Sequence, residues 1–292
     1  MKKDLTCAGE EAFWAFMNER HAIYERRRSG THPWPWTEDK ILQQYKFTNV
    51  YRELDRTTLW MRDNITRPIQ RTYHGKPHLK EILLLNCAVF RMFGTMEFAT
   101  EYGKVIPSWS PVVAAQLEQM ARERINRGEK VFTGAYIVTN MGLTDPKWEV
   151  VCRRFIQPIW DNRTTILQIA SLTNRLEAVH KQLGQYQGWG GGGFMAYEVV
   201  SDLRYTPVLS SAVDVLTWAN PGPGALRGLR RVFQGMPNAD AIPQMRYLCE
   251  RGPTQFPLRI EMREIEHTLC EFDKYCRVKF GEGRPRSMYK RH

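Results

Sequence analysis

The chain has 292 residues, of which 42% are hydrophobic and 12% aromatic, and this composition excludes a disordered protein. Its 42 Lys and Arg exceed its 31 Asp and Glu, and the resulting net charge of +11 favours a polyanionic partner such as nucleic acid. The apolar run 82–90 is interrupted by Asn86 and is too short to cross a bilayer, so it predicts a buried core helix and no membrane association.

The ends of the predicted helices carry recognisable signals, and strand-like alternation is scarce, so we expect an all-α fold. Thr37, Ser110 and Asp145 are typical N-caps, the last two followed by proline, and Gly30 and Gly128 are typical of helix C-termini. The predicted helices are approximately 9–28, 37–64, 77–101, 111–127, 146–157, 163–183, 194–204, 223–234, 240–250 and 260–279. The segment 132–140 fits either a short strand or an extended loop.

The domain organisation is predicted to be simple, because the chain has no tandem repeat, low-complexity tract or hinge. We therefore expect a single domain over 1–292 that ends in a basic arm at about 274–292. This arm has seven Lys or Arg and one acid, Glu282. We expect it to lie along DNA phosphates, with contacts from Lys274, Arg284 and Arg286.

The six cysteines are expected to be reduced thiols, because the N-terminus lacks the apolar segment of a secretory signal and predicts a cytoplasmic chain. Cys249, Cys270 and Cys276 lie near His267 in the sequence, which suggests a metal site. The spacing contains no CxxC pair, so we predict buried structural thiols, and neither a metal nor a cofactor.

Basic and aromatic residues alternate in the first forty positions. Arg20 and Arg27 lie on the first predicted helix, where a phosphate-binding face and a solvated charged face fit equally well. Trp34 and Trp36 follow in a His-Pro-Trp-Pro-Trp-Thr segment, which suits stacking on an extruded base but fits packing over a helix end as well.

The next segment is specific enough to indicate a family. It reads Tyr-Lys-Phe-Thr-Asn-Val-Tyr-Arg-Glu-Leu-Asp-Arg over 45–56, and it accompanies Glu-Arg-His at 19–21, Pro-Trp-Thr at 35–37 and Cys-Glu-Phe-Asp-Lys-Tyr at 270–275. Together these segments resemble the bacteriophage thymine-hypermodification family. Its members are α-glutamyl/putrescinyl thymine pyrophosphorylases, amino acid:DNA transferases and the helical domain of 5-hydroxymethyluracil DNA kinases. The resemblance extends from about Phe13 to Arg286.

This resemblance implies a pathway in which 5-hydroxymethyluracil in double-stranded DNA is phosphorylated or pyrophosphorylated and an amine then displaces that group. A kinase needs a loop of the type GxxxxGK[ST], and the Gly-rich stretch 188–194 lacks its Lys and Ser/Thr. We therefore expect a transferase that uses an amino acid or polyamine, with a DNA kinase acting upstream. For a phage-encoded protein the compartment is the host cytoplasm.

The same Gly-rich stretch separates two predicted helices, and Asp214 follows it by about twenty residues. This order is similar to helix-hairpin-helix DNA glycosylases, which implies a glycosylase-like helical fold with Asp214 at the position of the catalytic acid. The hairpin has no lysine nucleophile and an unusual glycine run, so base excision is only an alternative. A flexible turn followed by an incidental aspartate is the other alternative.

The expected site residues fall into groups by role. For phosphates they are Arg20, Arg27, Lys46, Arg52, Arg56 and Arg227, and for the base they are Asn49 and Tyr51. For amine binding or base catalysis they are Asp214, Glu198 and Asp202, and the hairpin residues Gly191, Gly192 and Gly193 are expected to bind a DNA phosphate. His267 is a secondary candidate, at helical spacing from Glu264 and Glu271. A non-catalytic DNA-binding partner of a kinase is the remaining alternative.

Overall fold

The computed structural model describes residues 7–234, 241–283, 285 and 288–289. Within these ranges the chain forms helices joined by turns and loops and has no β-strand, which confirms the all-α prediction. No helix in the described ranges is long and apolar enough to cross a membrane. The chain divides into two compact units, one of Met1–Asp55 with Val215–His292 and one of Arg56–Asp214. The single-domain expectation stays a prediction.

The helices are, in chain order, α1 (Glu10–Ser29), α2 (Lys40–Gln44), α3 (Arg56–Met61), α4 (Arg67–Thr72), α5 (Leu79–Phe93), α6 (Met96–Glu101), α7 (Pro111–Asn126), α8 (Lys147–Val150), α9 (Gln157–Asp161), α10 (Arg163–Thr173), α11 (Leu176–Leu183), α12 (Phe194–Leu203), α13 (Pro223–Val232), α14 (Ala241–Gln255) and α15 (Met262–Lys279). Wide π-type turns at Arg62–Thr66 and Val151–Ile156 connect α3 to α4 and α8 to α9. The segment 132–140, for which the sequence fits either a strand or a loop, contains no helix or strand.

Three of the predicted helices are interrupted in the structure. The predicted helix 37–64 is interrupted, because α2 ends at Gln44 and the chain runs as a loop with one 3₁₀ turn to Asp55. Its N-cap is Asp39, whose carboxylate accepts from the amides of Ile41 and Leu42, and not Thr37. The predicted helices 77–101 and 163–183 each break once, at Gly94 and Asn174, which adopt left-handed φ values of 71° and 48°.

In the first unit, α15 packs against α1 and α13. The rings of Phe13 and Phe16 from α1 meet Phe272 of α15 at centroid distances of 6.0 and 5.7 Å. Gly228 lets α13 approach closely, because a Cβ there would lie 2.2 Å from the carbonyl oxygen of Leu269. This close packing fixes the position of α15 against α13.

In the second unit, α5 is the central helix and is buried from Ile82 to Phe93. It packs against α10 and α12 and against the π-type turns that follow α3 and α8. The rings of Trp60 and Phe90 stack with their centroids 5.7 Å apart. The prediction of a buried core helix at 82–90 is therefore confirmed.

All six cysteines are free thiols, and five of them are buried, as predicted for structural thiols. The exception is the half-buried Cys270. Among the described residues there is no group of three or more His, Cys, Asp or Glu that could hold a metal ion.

Candidate functional site

A polar pocket lies in the first unit, where the loop 45–55 meets α1 and α15. It combines charged, polar and apolar side chains, and its lining residues are Phe16, Arg20, Thr48, Asn49, Val50, His267, Thr268 and Glu271. The hydroxyl of Thr268 is buried in this lining and has no hydrogen-bond partner among the residues that the structure describes. The empty space between these side chains is about 150 Å³, open solvent included, and its lining combines a buried cation, a carboxylate and a buried hydroxyl.

Arg20 is the buried cation of the pocket. Its side chain comes from α1, the residue is 9% exposed, and Nη2 donates to the Phe47 carbonyl at 3.1 Å and to Asn49 Oδ1 at 2.8 Å. Burial lowers the pKa of Arg20 to about 10, against the opposing effect of Asp55 and Glu271. The guanidinium therefore remains charged at neutral pH.

The loop 45–55 is held by its own side chains. The Asn49 amide donates to Asp55 Oδ1 at 2.9 Å, and Asn49 Nδ2 donates to the Leu54 carbonyl at 3.0 Å. Arg52 Nε lies 3.1 Å from Asp55 Oδ2. Because these short polar side chains bond to nearby backbone groups, they compete with helix formation. This competition explains why the segment is a loop and not part of the predicted helix.

One face of α15 completes the pocket. His267, Glu271 and Lys274 are spaced four and three residues apart and so lie on the same face. Glu271 Oε2 accepts from the Thr48 amide at 3.0 Å and from Lys274 Nζ at 2.5 Å, and Lys274 also donates to the Lys46 carbonyl at 3.1 Å. The ion pair between Glu271 and Lys274 thus anchors the loop to the helix.

His267 is the histidine of the pocket. Its Nε2 is in hydrogen-bond contact with Thr48 Oγ1. Burial lowers the pKa of His267 well below its ordinary value, and the cations Arg52 and Arg263 lower it further. The imidazole is therefore neutral at pH 7, and its ring faces a hydroxyl.

Of the residues predicted for phosphate and base contacts, Arg20, Asn49 and Arg52 lie in or beside the pocket. Tyr51 donates to the Arg259 carbonyl at 2.8 Å, and Lys46 has an exposed side chain. No sequence motif distinguishes the hydroxyls of Thr48 and Thr268 from those of structural threonines, so the sequence does not predict either residue as part of the site.

Arg27 and Arg227, two further predicted cations of the first unit, do not line the pocket. Arg27 is exposed near the end of α1, 6.0 Å from the ring of Tyr24. Arg227 pairs with Asp273 at 2.7 Å, on a different face of α15 from His267. Arg56 belongs to the second unit and is exposed. Arg284 and Arg286 of the basic arm lie outside the described residues.

The predicted carboxylate pair Glu198 and Asp202 is buried in the second unit around Arg91. Arg91 bonds both oxygens of Asp202 at 2.5 Å and lies 2.9 Å from Glu198 Oε2, and the three residues are 3 to 5% exposed. Burial alone would lower the pKa of Arg91, but Asp202 and Glu198 raise it well above its ordinary value. The arrangement is that of a buried structural ion triad, and the proposed amine role of the two acids stays a prediction.

Asp214 caps a helix in this structure. Its side chain is fully buried and accepts from the backbone amides of Leu176 at 2.8 Å and Glu177 at 3.0 Å, at the start of α11. The hairpin follows the other end of α11, about 10 Å away along the helix axis. Asp214 and the hairpin therefore lie at opposite ends of α11. A catalytic role for it stays a prediction.

The Gly-rich hairpin connects α11 to α12 as expected. Gly191 and Gly193 have left-handed φ values of 68° and 67°, which L side chains rarely adopt, and Gly192 lies between them. Trp189 is fully buried, and its indole nitrogen donates to the Phe155 carbonyl at 2.9 Å. This hydrogen bond holds the turn against the core of the second unit. The structure shows a glycine-rich turn between two helices, and both the helix-hairpin-helix motif and phosphate binding by it stay predictions.

The fold and the pocket together define an all-helical, basic protein with a buried arginine, a neutral histidine and a carboxylate in one pocket. Comparison with models of known protein families identifies the family of this chain. The family model of the helical domain of 5-hmdU DNA kinase matches residues 9–284, and the chain belongs to this family. The resemblance to the thymine-hypermodification family is thereby confirmed for its kinase helical-domain branch.

A curated relative is the 5-hmdU DNA kinase of Bacillus phage SP10. It is 28% identical over 282 residues, which cover 88% of this chain and 43% of the relative. The chain thus spans less than half the length of the curated relative it matches. No solved structure matches the chain.

Proposed function

We propose that this protein modifies DNA bases: it transfers an amino acid or polyamine to the methylene carbon of phosphorylated 5-hydroxymethyluracil in double-stranded DNA. Membership of the helical-domain family and the net charge of +11 support a DNA substrate of this kind. The observation that carries the proposal is the pocket itself, where the buried Arg20 faces the neutral His267 and the carboxylate of Glu271.

The proposed reaction is a displacement at carbon. The amine nitrogen attacks the methylene, the bond from carbon to the phosphate oxygen breaks, and its electrons leave with the phosphate. The developing negative charge on that oxygen needs a fixed cation, and Arg20 is a charged, buried donor in the pocket. The incoming ammonium must lose a proton, and the proposal assigns this step to His267, whose lowered pKa makes the imidazole a weak base that accepts the proton as the carbon–nitrogen bond forms.

Glu271 is assigned the binding of the incoming ammonium, because it is the carboxylate that lines the pocket with Arg20 and His267. In this proposal Glu271 is an alternative to Asp214, Glu198 and Asp202, which lie in the second unit and bond to backbone amides or to Arg91. The basic arm and the hairpin glycines are proposed to bind DNA phosphates. A helix-hairpin-helix glycosylase-like fold remains part of the proposal.

The test is mass spectrometry of nucleosides from DNA containing phosphorylated 5-hydroxymethyluracil, after incubation with the protein and a mixture of amino acids and polyamines. We expect a nucleoside heavier by the amine and lighter by the phosphate. His267→Gln should slow transfer on the order of 10² to 10⁴-fold, with DNA binding retained. Glu250→Gln, an exposed carboxylate of the same unit, is the control and should transfer normally. Unchanged nucleosides with every amine would refute the transferase proposal.

A second candidate function is presentation of DNA to a separate kinase, without chemistry in this chain. The observation that favours it is that the matching family model is a domain of a kinase and that the chain covers 43% of the curated relative. In that case the protein should stimulate phosphorylation of 5-hydroxymethyluracil DNA by an added kinase. It should also leave DNA unchanged with every amine.

A further inference from the structure

Three aromatic rings form a cluster in the first unit, beyond the end of α1. Trp34 and Tyr289 are stacked nearly in parallel, with centroids 5.4 Å apart and an interplanar angle of 9°. Trp36 meets Trp34 edge-on at 5.1 Å and 90°. Trp34 and Trp36 are only half-buried, so these rings are not part of the core.

Tyr289 comes to this cluster from the C-terminal arm. Its backbone amide donates to the Gln44 carbonyl at 2.8 Å, and Met288 pairs with Tyr45 in an isolated antiparallel bridge. These contacts place the phenol ring flat on one face of Trp34. A flat ring stacked on tryptophan is the arrangement that an unpaired nucleobase adopts on an aromatic side chain.

The segments that flank the cluster carry exposed cations. Arg26 Nη1 donates to the Trp36 carbonyl at 2.6 Å, so the last turn of α1 is attached directly to the aromatic segment. Arg27 and Arg28 in that turn are exposed, and so is Lys40 at the start of α2. Exposed cations beside a stacking surface supply the phosphate contacts that single-stranded DNA needs.

We infer that Trp34 is a stacking platform for an unpaired DNA base and that Tyr289 occupies it as a placeholder that the base displaces. The inference rests on the proposed DNA binding and specifies the form of the DNA: a strand with an unstacked base. The arm then acts at the cluster as a competitor of the base, in addition to any contact its cations make with phosphates.

The test is equilibrium binding of the full chain to unmodified oligonucleotides. Three DNAs are compared: a single strand, a duplex with one unpaired base and a fully paired duplex. Tyr289→Ala removes the competitor and should tighten binding to the first two DNAs several-fold, whereas Tyr289→Phe keeps the ring and should bind like the parent protein. Trp34→Leu should weaken binding to the same two DNAs about tenfold and leave the paired duplex unchanged. The control is Tyr205→Ala, which removes an exposed tyrosine of the other unit.

If Trp34→Leu does not fold, a spectroscopic measurement tests the inference on the folded protein. With 3-fluorotyrosine at position 289, addition of single-stranded DNA should move the fluorine resonance toward that of an unstacked tyrosine. An unmoved resonance, or equal affinity of Tyr289→Ala and parent for single strands, would overturn the inference. The oligonucleotides contain no modified base, so this binding test is independent of the transfer assay. Transfer activity in the parent protein, together with unchanged DNA affinities of the Trp34 and Tyr289 variants, refutes only this inference. Changed affinities of these variants, together with no transfer activity, refute only the transferase proposal.

Discussion

Thr48 Oγ1 lies in hydrogen-bond contact with His267 Nε2, which joins the loop 45–55 to α15 through a neutral imidazole. A protonated imidazole has no acceptor nitrogen, so protonation leaves the Thr48 hydroxyl only the role of acceptor and puts a second positive charge near Arg20. The contact is therefore sensitive to pH.

The first prediction concerns stability in acid. Burial lowers the pKa of His267 well below that of the unfolded chain, where histidine titrates near 6.5. The unfolded state therefore binds the proton more readily, and the stability that the neutral imidazole provides is lost as the pH falls below about 6.5. Between pH 7 and pH 5 we expect the melting temperature of His267→Gln to fall less than that of the parent protein. A variant of the exposed His32 should lose as much as the parent, and identical slopes for all three proteins would contradict the prediction.

The second prediction has the opposite sign and concerns Glu264. Burial raises the pKa of this carboxyl to about 7, opposed by Arg263 and assisted by Glu53. The folded state holds the proton more tightly than the unfolded state, so this contribution is full below about pH 4.5 and is lost as the pH rises through 7. Glu264→Gln resembles the protonated form and keeps an acceptor for the Glu261 amide.

We therefore expect Glu264→Gln to be more stable than the parent at pH 8, by on the order of 2 kcal/mol, and about equal to it at pH 4.5. Denaturant unfolding at the two pH values measures this difference. Glu250→Gln, in which the exposed carboxylate of α14 is replaced, is the matched control and should change little at either pH. A constant difference between parent and Glu264→Gln across this range would show that the carboxyl does not titrate as described.

The third prediction concerns the triad of Arg91, Glu198 and Asp202. Arg91→Met leaves two buried carboxylates without their cation and should cost roughly 3–5 kcal/mol of unfolding free energy. Combining it with Glu198→Gln and Asp202→Asn removes the uncompensated charges and should restore part of the loss. Arg67→Ala breaks an exposed ion pair with Asp63 and should have little effect. A triple variant less stable than Arg91→Met would contradict this account.

The fourth prediction separates the two roles of Asp214. As a cap of α11 it should stabilise the fold, so Asp214→Ala should lose about 1–2 kcal/mol and Asp214→Asn less, because the amide oxygen still accepts one backbone hydrogen bond. A catalytic base predicts the reverse: Asp214→Asn folds normally and transfers on the order of 10² to 10⁴-fold more slowly. Thermal melts and transfer assays on both variants decide between them.

The fold was predictable where the helix signals are local. Ser110 accepts from the Val113 amide at 3.3 Å and precedes Pro111, as its sequence indicates, and α1, α7, α12 and α15 lie within a few residues of their predicted ranges. The helix predicted over 37–64 failed because Asn49 and Asp55 bond to the backbone of their own loop. Amphipathic spacing does not reveal such bonds.

The site was only partly predictable for a related reason. Helical spacing brought His267 and Glu271 together, and the segment 45–56 supplied Asn49, but nothing in the sequence pairs Thr48 with a residue 219 positions away. Glu198 and Asp202 do lie on one helix face as predicted. Their partner Arg91 is 111 residues from Asp202, so the helical spacing alone does not reveal that the two acids form a buried ion triad with it.

The last prediction concerns the basic arm. Deleting residues 281–292 removes Arg284, Arg286, Lys290 and Arg291, and for every phosphate that these cations neutralise, the slope of log K against log[salt] on duplex DNA should fall by about 0.9. We expect weaker binding to a paired duplex and a flatter salt dependence. Replacing the four cations with glutamine, with Tyr289 retained, should reproduce both effects, whereas Tyr289→Ala should leave the duplex slope unchanged. An unchanged slope in the glutamine variant would show that the arm does not bind DNA phosphates.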